Sequence, residues 1–67
     1  MPDDEERKGN LSRLESQIIT LARQVTDIGD DLAANGLLDG AYKMHRCANK
    51  MWKVTADIID FTGETNG

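Results

Sequence analysis

The chain carries one cysteine, Cys47, so no disulfide can close within it. It carries one histidine, His45, so no Cys/His metal cluster can be assembled. Its single proline, Pro2, lies in a polar opening segment. No apolar run approaches the roughly 18 residues that a membrane span needs, so no membrane partner is expected. A basic excess is also missing. The net charge is −4, which argues against general affinity for nucleic-acid phosphates. A lone cysteine with no signal peptide fits a reducing cytoplasm.

These absences narrow how the chain can be stabilised. Sixty-seven residues make one domain at most, and so short a chain buries a modest fraction of its surface. Disulfides, a metal and oligomerisation are the usual supports for this size. With the first two excluded, oligomerisation remains.

What is present is helical periodicity. Leu11, Leu14, Ile18, Leu21, Val25, Ile28 and Leu32 follow alternating gaps of three and four, an a/d heptad with Leu11 at a. Met44, Cys47, Met51, Val54, Ile58 and Phe61 repeat the pattern. Asn10 and Asp39 are candidate N-caps, and Asn35-Gly36 and Gly63 are candidate stops. The expected organisation is a flexible polar arm over 1–10, a hairpin over 11–62 and a frayed tail over 63–67. Within the hairpin, a helix over 11–34 and a helix over 40–62 flank a loop at 35–39. The fold class is therefore all-α: an antiparallel two-helix hairpin, coiled-coil-like, dimerising into a four-helix bundle. Folding about Gly36 pairs Ile28 with Met44, Val25 with Cys47 and Leu21 with Met51. The same fold pairs Ile18 with Val54, Leu14 with Ile58 and Leu11 with Phe61.

Two flanks border this a/d seam. The g and c positions carry charge, and the fold about Gly36 sets Asp31 against Lys43, Asp27 against Arg46 and Arg13 against Asp60. The e and b positions are apolar, with small residues at e. Ile19, Ala22, Leu38, Ala41, His45, Ala48, Trp52 and Ile59 on this flank are the expected protein interface, because a two-helix hairpin cannot bury both stripes alone.

Candidate chemistry is sparse. His45 and Cys47 stand two apart on a helix and do not face each other, so neither a nucleophile–base pair nor a metal site is expected. Cys47 reads as a buried apolar side chain. No enzyme activity and no cofactor is expected. Trp52, the only tryptophan, reads first as a cover on the dimer seam and second as a hot spot for a foreign partner. Lys43, Arg46, Lys50 and Lys53 form a basic stripe within residues 39–53, which sum to +3. The stripe could meet RNA phosphates or an acidic partner. Its only nearby aromatic is Tyr42, so base stacking has little support, and nucleic acid ranks below protein as a partner.

The leading functional expectation is a non-enzymatic protein-binding regulator or inhibitor acting as a homodimer. Its size, acidity and helical design resemble small proteins that viruses and plasmids use against host machinery. That likeness implies an unidentified host protein as the partner. An RNA-binding hairpin dimer and an oligomerisation module of a larger protein are the alternatives.

Overall fold

The computed structural model describes residues 3–63. Two helices, α1 (Asp4–Ala34) and α2 (Leu38–Thr62), pack against each other as an antiparallel hairpin. Among the described residues there is no strand. The 31 residues of α1 rise about 46 Å at 1.5 Å per residue, which accounts for the molecule's long axis of 48 Å.

The first helix starts earlier than the sequence pattern indicates. Asp3 is its N-cap, and the Asp3 carboxylate accepts a hydrogen bond from the Glu6 backbone N–H at 2.8 Å. Asp4, Glu5 and Glu6 fill the first turn, where negative charge offsets the positive end of the helix dipole. The expected arm is thus mostly helix, and Gly9 and Asn10 are interior helical residues. Asn10 is not a cap; its side-chain oxygen accepts from the Arg13 guanidinium at 3.0 Å. Met1 and Pro2, and tail residues 64–67, lie outside the described residues.

The stop at the end of α1 forms as the Asn35-Gly36 pair indicates. Gly36 takes φ 89°, a left-handed conformation that glycine adopts without a Cβ clash. The Gly36 N–H then donates to the Ala33 carbonyl and the Leu37 N–H to the Leu32 carbonyl. This is the paired hydrogen-bond pattern of a Schellman stop. The turn is tighter than expected, covering 35–37, and α2 begins at Leu38 after Leu37, which offers no side-chain cap. Asp39 lies within the first turn instead. Gly63, at φ 73°, ends α2 by donating to the Ile59 carbonyl.

The seam between the helices is not the a/d stripe. The buried residues are Ala22 and Gly29 on α1 and Ala41, Ala48, Thr55 and Thr62 on α2. All six occupy e positions, seven residues apart along each helix. Leu14, Leu21, Ile28, Val54 and Phe61, all at d, are exposed. The a/d pairing built on Leu21–Met51 and its neighbours is therefore corrected: α2 meets α1 about 70° further round, at e flanked by a and b. The physical reason is backbone approach. Small side chains at e let the two backbones come close. A Cβ built on Gly29 would lie 2.7 Å from the His45 ring and 3.3 Å from the Met44 Cβ. The two buried threonines fit this seam because each spends its hydroxyl on its own helix. Thr55 donates to the Trp52 carbonyl at 2.6 Å and Thr62 to the Ile59 carbonyl at 3.2 Å.

Candidate functional site

A seam built on e fixes what each helix shows to solvent. In an antiparallel pair the a and d positions of both helices lie to the same side of the seam, and b and f to the other. The a residues, including Ile18, Val25, Met44 and Met51, are half-buried along the edge of the seam. The d residues stand outside it: Leu21 is 50% exposed and Phe61 61%. Cys47, expected to be buried at d, is exposed with them. The result is one apolar face running from Leu11 to Leu32 along α1 and from Met44 to Phe61 along α2. Near the open end of the hairpin, Leu11 of α1 and Val54, Ile58 and Phe61 of α2 line a common open groove of about 490 Å³. Arg7 closes its rim with the guanidinium 5.6 Å from the centre of the Phe61 ring.

The residues expected to form an interface at e and b divide into two groups. Ala22, Ala41 and Ala48 are consumed by the hairpin seam, with Ala22 0% exposed; they are not free for another chain. Ile19, His45 and Ile59 are half-buried beside the seam, while Leu38 and Trp52 are exposed, Trp52 at 39%. His45 reaches across from α2, its Nε2 3.1 Å from the Asp30 carboxylate of α1. Glu15, at the e position one turn-pair before Ala22, has one carboxylate oxygen enclosed without a hydrogen-bond partner. It marks the polar weak point of the seam.

The charged flank behaves differently from the sequence pattern. None of the pairs Asp31–Lys43, Asp27–Arg46 and Arg13–Asp60 forms. The ion pairs among the described residues are Arg7–Asp4 and His45–Asp30. Rotating the seam onto e turns g and c away from the partner helix, so these side chains point outward. Lys43, Arg46 and Lys50 surround a shallow hollow beside Cys47, and Arg46 lies over the Tyr42 ring at 5.7 Å. Among the described residues no three His, Cys, Asp or Glu side chains gather as a metal site, and no helix is long and apolar enough to cross a membrane.

The exposed d face is the feature that the sequence reading assigned to the interior. Its signal was present in the series of small residues Ala41, Ala48, Thr55 and Thr62 at seven-residue intervals. Comparison with protein-family models, with curated proteins and with solved structures finds no match to this chain.

Proposed function

We propose that this chain is a small non-enzymatic regulator or inhibitor that binds another protein while acting as a helical homodimer. The observation that carries this reading is the inverted distribution of side chains. The interior of the hairpin takes Ala, Gly and Thr, while Leu14, Leu21, Ile28, Val54 and Phe61 remain exposed. Continuous apolar surface of this size on a short chain is what an interface leaves when its partner is removed. Two copies joined through the d face would complete a four-helix bundle. The opposite side then stays open, with Trp52, Leu38 and Tyr42 outward. Tryptophan at such a surface is the side chain most suited to anchor a foreign protein. The class this suits is the small viral or plasmid protein that occludes a host protein in the cytoplasm.

RNA binding is the second reading, favoured by the grouping of Lys43, Arg46 and Lys50 without an acidic partner. Capture from host lysate with and without nuclease separates the two. On the leading reading, a captured protein survives nuclease. Trp52→Ala then weakens capture by about 30-fold, the equivalent of a 2 kcal/mol hot spot, while the dimer persists. Capture lost with nuclease, or abolished by Lys50→Glu with Lys53→Glu in an intact dimer, would put RNA first.

A further inference from the structure

We infer that the exposed d face is covered by a second copy of this chain whose interhelical turn lies at the same end, so that α1 of each copy runs along α2 of the other. This rests on the homodimer reading above and supplies its geometry.

The size of the face suits a second copy. The apolar face, about 32 Å from Leu11 to Leu32 at 1.5 Å per residue and 20 Å across the hairpin, offers on the order of 640 Å² per copy before its charged rim is counted, against about 800 Å² per partner in a standard stable interface. The face is also self-complementary in kind, because each helix presents the same row of d residues at seven-residue spacing.

Charge then chooses the orientation. Two flat hairpins stacked face to face by a two-fold axis have two arrangements. With the axis along the helices, turns lie together and α1 covers the partner's α2. With the axis across the helices, turns lie apart, α1 covers its own copy, and α2 covers its own copy. The heights of residues along the hairpin are set by the His45–Asp30 contact near the turn and the Arg7–Phe61 contact at the open end. Near the turn they place Asp31 level with Lys43 and Asp27 with Arg46, and toward the open end they set Arg13 beside the stretch of α2 that carries Asp57.

In the first arrangement these levels are retained between copies. The rim then sets Asp31 and Asp27 of one copy against the basic start of α2 in the other, and Arg13 against its acidic end. Every charge on that rim meets an opposite or neutral group. In the second arrangement Lys50 falls against its own copy, and Arg46 falls beside Lys53, so the basic stripe repels itself across the axis. The hairpin leaves these groups unpaired: Asp27, Asp31, Lys43 and Arg46 make no ion pair within it. Pairing in trans gives them partners that the intrahelical geometry withholds. Like charges brought together at an interface discriminate strongly against the wrong arrangement.

A mixing experiment tests this. One variant carries Asp27→Lys and Asp31→Lys; the other carries Lys43→Glu and Arg46→Glu. Each alone sets like charge against like on both rims, and self-association should weaken by about 100-fold or more, recovering in 1 M salt as the repulsion is screened. Mixed one to one, the two should form a heterodimer about as tight as the wild-type dimer, because both rims become complementary. Mass by sedimentation and helicity by circular dichroism read the result even if each variant unfolds alone. A wild-type dimer whose variants fail to rescue each other would overturn the same-end arrangement and leave the homodimer reading standing. A wild-type protein that is monomeric throughout would remove both.

Discussion

The seam assignment makes one substitution act in opposite directions at two sites. Gly9 and Gly29 both lie within α1 with ordinary helical φ. Replacing glycine by alanine inside a helix stabilises by about 1 kcal/mol, because the unfolded chain loses freedom and the helix loses none. At Gly9 nothing lies within 4 Å of the new Cβ, so Gly9→Ala should realise that gain. At Gly29 the new Cβ meets the His45 ring at 2.7 and 2.8 Å and the Met44 Cβ at 3.3 Å. The ring can swing aside, at the loss of its contact with Asp30, an exposed pair worth about 0–1 kcal/mol. The Met44 Cβ is fixed to the backbone, so α2 itself must move a few tenths of an ångström, and overpacking of this kind costs roughly 1–3 kcal/mol. The balance is a net loss of about 1 kcal/mol. Urea denaturation followed by circular dichroism measures it. Removing the ring with His45→Ala should lower the Gly29→Ala cost by the ring's share, a coupling of about 0–1 kcal/mol in the double-mutant cycle, and leave the Met44 share in place. Equal stabilisation by Gly9→Ala and Gly29→Ala, with no coupling to His45, would refute the close approach of the two backbones at Gly29.

Two further outcomes follow from the exposed d face. Leu21→Ala should cost about 2–5 kcal/mol at concentrations where the protein is assembled, as a Leu buried by a partner does. Thr20→Ala should change stability by less than about 0.5 kcal/mol, and equal effects of the two in thermal melts would mean that nothing covers Leu21. The Cys47 thiol, exposed on the hairpin, should react quickly with a thiol reagent in dilute protein and slowly once copies associate. A labelling rate independent of protein concentration would place Cys47 outside the self-interface.

The helices and their antiparallel arrangement were legible because spacing of three and four among Leu11, Leu14, Ile18 and Leu21 has one regular solution. Turn chemistry at Asn35-Gly36 and Gly63 fixed the close of each helix, whereas the start of α2 lies two residues before the expected one. The start of α1 was not legible, since the polar composition of 1–10 reads as a loose arm while the Asp3 cap and the acids behind it start the helix there. The seam was misplaced for a sharper reason. Large residues at a and d compete with small ones at e for the neighbouring helix. Size favours the first set, whereas backbone approach through Ala22, Gly29, Ala41 and Ala48 favours the second. A hairpin with only one partner helix takes the close approach and leaves its larger side chains outward, and this is why the candidate site emerged on the face that periodicity had assigned to the core.

Sedimentation equilibrium across micromolar concentrations tests that inversion most directly. The wild-type protein should sediment with about twice the 7.4 kDa chain mass, and Leu21→Lys, which puts a charge at the centre of the d face, should return it to the mass of one chain. A wild-type chain that stays at 7.4 kDa at high concentration, or a Leu21→Lys variant that associates as tightly as wild type, would contradict the assignment of the d face as the surface by which this protein assembles.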